Sequence, residues 1–125
     1  MKQPLKAIAA ALGVVMLLTL SPSAGAQERE LIMVTGNHWI NASDDEKFAY
    51  LIGIGNFLQV ELALQEGKKV PDNASLVPVM VRGLKGRKLT GVKEALDRWY
   101  AEHPDKLDQP VMKTIYFELA LPNAK

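Results

Sequence analysis

The sequence predicts an all-α fold: a compact bundle of about four helices, preceded by a signal peptide and a short N-terminal arm. Three observations lead there. Apolar residues recur at steps of three and four over residues 44–66 and again through much of the second half of the chain. Helix-start and helix-stop patterns bracket those stretches. The N-terminus carries a charged start, an apolar run and small residues before a polar segment, the three-part pattern of an export signal.

In that signal, Lys2 and Lys6 supply the positive start, and the run from Ala7 to Leu20 has no charge. Ser21-Pro22-Ser23 interrupts it, and Ala24-Gly25-Ala26 offers small side chains to a signal peptidase, so cleavage is expected between Ala26 and Gln27. The rival reading is an uncleaved membrane anchor, but a span takes about 20 apolar residues and this run is shorter. The expectation is therefore a periplasmic protein with residues 1–26 as signal peptide, residues 27–125 as one helical domain and no stable membrane span after cleavage.

Removing 26 of 125 residues leaves 99, enough for a single core. The whole chain carries 15 basic and 14 acidic residues. Lys2 and Lys6 leave with the signal, so 13 basic residues face 14 acidic ones, a net charge of −1. Near-neutrality argues against a nucleic-acid partner. The chain has no cysteine, which excludes disulfides, thiol chemistry and thiolate-bound metal, and leaves the apolar core to hold the exported domain.

After a polar lead-in, Leu31-Ile32-Met33-Val34 reads as either a brief strand or an irregular arm, and Thr35-Gly36-Asn37 as a break. Ser43 followed by Glu46 is a capping-box pattern, and Asp44, Asp45 and Glu46 suit the positive end of a helix dipole. The first helix is predicted from Asp44 to Glu66, with Gly67 as its stop. Apolar residues occupy most of its circumference, which predicts a central helix with neighbours on several sides. Gly53 and Gly55 are unfavourable inside a helix, so the expectation is close approach of another helix there, or room for Trp99. A short helix follows over Leu76–Leu84, capped by Ser75 with Pro78 in its first turn; its β-branched residues make a strand the rival. Thr90 is the expected N-cap of a helix reaching Glu102, with Val92, Leu96, Trp99 and Tyr100 inward and Glu94–Arg98 as an exposed i,i+4 pair. His103-Pro104 stops it. Asp108 is the expected cap of a last helix, with Val111, Ile115 and Leu119 inward and Pro122 at its end.

Chemical motifs are sparse. His38 and His103 show no ligand spacing, no nucleophile elbow surrounds a serine, and the acids at 44–46 read as helix capping. The expectation is a non-enzymatic protein with no catalytic residue, cofactor or metal. Two features stand out. Arg82, Lys85, Arg87, Lys88 and Lys93 put five cations in twelve residues with no acid between them, a docking patch for a partner with an acidic surface or else a solvated turn. Asn56 and Gln59 fall on an apolar side of the first helix, where a buried amide needs a partner; they are either bonded within the core or the polar floor of a small-ligand pocket. Trp99 and Tyr100 are expected in the core, and Trp39 is a candidate exposed anchor. The Asn41-Ala42-Ser43 and Asn73-Ala74-Ser75 sequons coincide with expected caps, which account for their serines without sugar.

Gly36, Trp39, Ser43, Lys47, Tyr50 and Gly53, then Val92, Leu96, Tyr100, His103-Pro104 and Pro110-Val111, follow one another at spacings that resemble the Rap1a/Tai-type group of small periplasmic immunity proteins. The resemblance covers about two thirds of the expected mature chain. It implies an all-helical fold, often as a homodimer, and neutralisation of a secreted toxic effector by binding it, with no catalytic residues. Members of that group carry cysteines and this chain has none. The functional expectation is thus a periplasmic protein-binding module with an immunity- or inhibitor-like role; the alternative is a carrier of a small ligand or lipid.

Overall fold

A computed structural model describes residues 30–125. The expected signal peptide, its cleavage point between Ala26 and Gln27, and the first residues of the mature chain lie outside the described residues. Residues 32–125 fold as one compact unit. It is all-helical: α1 Gly36–Asn41, α2 Asp44–Gln65, α3 Val77–Leu84, α4 Leu89–Glu102 and α5 Val111–Thr114. A 3₁₀ turn, Pro104–Lys106, follows α4. Helix α5 passes without a break into a π-helical stretch, Ile115–Ala120, and a last 3₁₀ turn, Leu121–Asn123. No described helix is long and apolar enough to cross a membrane.

The arm is not a strand. It makes one isolated antiparallel bridge, Thr35 with Pro110, flanked by the Val111 amide donating to the Val34 carbonyl (2.8 Å) and the Gly36 amide donating to the Gln109 carbonyl (3.1 Å). The segment after it, expected to be a break, forms α1. His38 Nδ1 accepts from the Thr35 amide (3.1 Å) and lies 2.9 Å from the Thr35 hydroxyl, which closes the first turn. Gly36 is needed there because a Cβ would run into the Tyr100 ring and the Leu107 carbonyl. Trp39 is consequently no exposed anchor: it is 1% exposed and makes a T-shaped pair with Tyr50, ring centroids 6.4 Å apart.

Helix α2 starts as its capping box predicts. The Ser43 amide donates to Glu46 Oε2 (2.7 Å) and the Glu46 amide to Ser43 Oγ (3.2 Å); the first bond holds the Glu46 carboxyl below the usual carboxylate range. Gly67, at φ +75°, turns the chain away after the helix, a left-handed conformation that suits glycine. The prediction of a central helix fails, however. Only Leu51 is fully buried on α2, and Ile54, Leu58 and Leu62 are half-buried. Nothing packs on Gly53 or Gly55, and Trp99 lies against His103 instead, stacked at 4.3 Å.

The core forms elsewhere. Val77, Val79 and Met80 of α3, Val92, Leu96 and Tyr100 of α4, and Val111, Ile115, Leu119 and Ala120 of the closing segment are buried together with Trp39 and Leu51. A Cβ on Gly83 would run into the backbone of Ala120, so glycine sets how closely α3 and the closing segment approach. Thr114 is the buried polar residue of this core and is well satisfied. Gln109 Nε2 donates to its hydroxyl (2.9 Å), and the Tyr100 hydroxyl sits 2.9 Å away while reaching the Gln109 carbonyl at 3.0 Å. Burial also pushes the Tyr100 hydroxyl pKa up.

Several helix ends move by a residue or two from expectation. Lys88, not Thr90, is the N-cap of α4. Ser75 Oγ accepts from the Val77 amide (3.2 Å), yet Leu76 is the N-cap of α3. Asp108 accepts from Asn37 Nδ2 (2.9 Å) rather than capping α5, which starts after Pro110.

Candidate functional site

The chemistry-bearing side chains fall into a charged hub, a basic turn and an apolar helix face. The hub centres on Asp97 of α4. Its Oδ1 accepts from Trp39 Nε1 (2.8 Å) and Lys47 Nζ (2.9 Å), and its Oδ2 from Lys93 Nζ (2.9 Å). Lys93 also reaches Asp44 Oδ1 at 2.8 Å, at the first turn of α2. One carboxylate thereby ties α1, α2 and α4. Burial works to raise the Asp97 pKa, but the bonds from Lys47, Lys93 and Trp39 outweigh it and hold the carboxyl below its ordinary range. Bonds to Asp44 and Asp97 push the Lys93 ammonium up to about 12. Every charge here has an opposite partner, so the hub is a fastener and offers no free acid or base.

The expected five-cation patch is therefore not a single surface. Lys93 is committed to the hub. Arg82 forms a bidentate pair with Asp72 (3.2 and 2.7 Å) and donates from Nε to the Ala124 carbonyl (3.1 Å). Lys85, Arg87 and Lys88 remain. All three are exposed, and their side chains make no hydrogen bond or ion pair among the described residues. They ride on the turn between α3 and α4, where Gly86 adopts φ +76°. Lys85 follows the C-terminus of α3, where a cation is favourable; Arg87 and Lys88 stand at the N-terminus of α4, where the helix dipole disfavours them. Beside them lies an apolar groove of about 290 Å³ between α2 and the turn, lined by Leu51, Leu58, Leu84, Arg87, Leu89 and Val92 among others. Leu89, 45% exposed, stands at its edge.

Asn56 and Gln59 do not form a polar pocket floor. Both are exposed. Gln59 contributes to the rim of the groove just described, and Asn56 does not line it. The physical reason is the placement of α2: with its packed face running through Leu51, Ile54, Leu58 and Leu62, the two amides face solvent, which satisfies them. The outward face of α2 is instead apolar, with Ile52 at 48%, Phe57 at 58% and Val60 and Leu64 each at 61% exposure.

The histidines are structural by geometry. His38 Nδ1 is engaged with Thr35, and His103 Nδ1 donates to the Trp99 carbonyl (2.7 Å) at the end of α4. Among the described residues no group of three or more His, Asp or Glu side chains is arranged to hold a metal ion. The exposed Glu94 and Arg98 form no ion pair.

Sequence reasoning missed Asp97 and the outward face of α2. The i,i+4 spacing of Lys93 and Asp97 was a signal for the first. For the second it was the absence of any charged residue between Lys47 and Glu61. No family model matches this chain, and no curated protein or solved structure matches it.

Proposed function

We propose that this protein is a non-enzymatic binding module that grips the acidic surface of a partner protein, in an inhibitor- or immunity-like role within the periplasm. The observation that carries this reading is the turn of Lys85, Arg87 and Lys88: three exposed cations without intramolecular partners, two of them at the end of α4 that repels them. A sequence that accepts a local electrostatic cost without an internal return is best explained by an external anion. The neighbouring groove and Leu89 supply an apolar centre, and the cations supply a polar rim with Arg87 at the boundary, the anatomy of a protein–protein contact.

The resemblance to the Rap1a/Tai-type group supports the same class of function, with a qualification in physical terms. Gly36 and Tyr100 pack on each other, and Trp39 and Lys47 meet on Asp97. These residues hold the fold, so shared spacing supports a shared fold, while the choice of partner rests with the basic turn. The carrier alternative loses its motivating observation with Asn56 and Gln59 at the surface.

The test is affinity capture from a periplasmic extract with the native protein and with a Lys85→Glu/Arg87→Glu/Lys88→Glu variant. The expected result is an acidic protein retained by the first, released by salt and absent from the second. An identical set of proteins on both, or none on either, overturns the reading.

A further inference from the structure

Building on the partner-binding reading above, we propose that the groove between α2 and the turn joining α3 to α4 is a pocket for one large apolar side chain of the partner, flanked on the partner's own chain by carboxylates, and that Gly55 holds the pocket open. Glycine inside a helix is unfavourable relative to alanine. Gly83 offsets that cost by letting the Ala120 backbone approach α3. Gly55 has no such offset within the chain, because a Cβ there would meet nothing within 4 Å. What Gly55 does is line the groove. Any side chain at this position would project from the α2 wall into the space that an incoming group needs. Gly53 also meets nothing, but the surface beside it carries no charged residue to select an occupant.

Size and shape set the first property of the occupant. The groove holds about 290 Å³, and the fully buried Ile115 lies at its floor. Sites for whole small ligands run from ~300 to ~1,000 Å³, so this one sits at the bottom of that range. It suits a single leucine- or phenylalanine-sized anchor, the unit on which protein contacts concentrate their energy. Leu89, open to solvent at the edge, would be covered by such an anchor.

Charge sets the second property. Arg87 lines the groove, Lys85 and Lys88 share its turn, and no acid lines it. The exposed Gln59 adds a neutral amide on the α2 side. A guanidinium pairs a carboxylate through two parallel hydrogen bonds. An apolar residue with Asp or Glu beside it in sequence therefore places its carboxylates on Arg87 and Lys88 as its side chain enters. A segment with basic flanks is repelled from the same mouth.

The experiment titrates isotopically labelled protein with three pentapeptides, each blocked at both ends so that no terminal charge contributes. One has leucine between two pairs of aspartates, the second has alanine at that centre, and the third has leucine between two pairs of lysines. The first is expected to shift the amide signals of residues 54–59 and 84–92 and to bind at least ~10-fold more tightly than either of the others. Gly55→Leu is expected to weaken the first peptide at least ~10-fold while the protein melts at the same temperature or higher. Binding and stability moving in opposite directions is a signature that a purely structural glycine would not give. Equal binding of the leucine and alanine peptides, no shift from any of the three, native affinity in Gly55→Leu, or dodecanoate moving the same signals at lower concentration than the peptide overturns the pocket. In the capture experiment Gly55→Leu is expected to lose the same protein as the charge-reversed turn. Capture abolished by charge reversal but unchanged by Gly55→Leu overturns the pocket and leaves the partner-binding reading standing; capture indifferent to both overturns the two together.

Discussion

Helices α2 and α4 treat their apolar residues in opposite ways. In α4, Val92, Leu96 and Tyr100 lie on one side and are buried, and the charged residues turn outward or into the hub. In α2, the longest element, a single residue is fully buried and four large apolar side chains face solvent. The difference teaches that apolar content does not measure burial. A helix with charges on one face has only one way to sit, because burying an unpaired charge is costly. A helix without charges along its middle has several, and the neighbours that arrive choose among them.

The largest expected effect sharpens that contrast. Leu96→Ala is expected to lower unfolding free energy by about 2–5 kcal/mol in a denaturant titration, because a fully buried side chain leaves a cavity. Phe57→Ala is expected to change it by less than ~0.5 kcal/mol, as for surface sites generally. Comparable losses from the two changes would break the comparison. The glycines give a second contrast of opposite sign. Gly83→Ala drives a Cβ into the Ala120 backbone and is expected to cost about 1–3 kcal/mol, whereas Gly55→Ala enters open space and is expected to stabilise α2 by roughly 0.5–1 kcal/mol.

Smaller still is the expected effect at the basic turn. Lys88→Asp places an acid at the N-cap of α4 and is expected to add about 1 kcal/mol of stability while weakening capture of the partner. A variant that gains stability and keeps its partner would separate Lys88 from function.

The hub makes a prediction in pH. Lys93 has its folded pKa raised from 10.5 to about 12, so its contribution is full below pH 10.5 and is lost as pH climbs through about 12. Asp97 has its folded pKa depressed below 3.8, so its contribution is present above that value and is lost as pH falls through the lower, folded one. Thermal melts of the native protein and of Asp97→Asn are expected to converge at both extremes and to differ most between them. Parallel curves across the whole range would mean that the hub does not join α1, α2 and α4.

Much of the fold was legible in the chain. The Ser43–Glu46 capping box, the Gly67 stop, the buried face of α4 and the His103-Pro104 end are local decisions, made by groups within a few residues of each other, and they appear where the sequence puts them. The candidate site was legible only in part. Five cations close in sequence became three at a turn, because Asp72 and Asp44 arrive from elsewhere to claim Arg82 and Lys93, with Asp97, one turn along α4, taking Lys93 as well. Helix α1 was hidden because its stability comes from distant partners: Tyr100 over Gly36, Asp97 on Trp39, and carbonyls of 107 and 109 for its first amides.

By itself, then, the sequence determined that the domain is helical, where its longer helices begin and end to within a residue or two, and that no disulfide holds it. Those follow from backbone propensity, capping and composition, which act over one turn. Only the tertiary structure decided which side of α2 meets the core, which cations stay free and that Trp39 is buried. Those depend on what arrives across the fold, and a charge-free helix carries no mark that fixes its orientation beforehand.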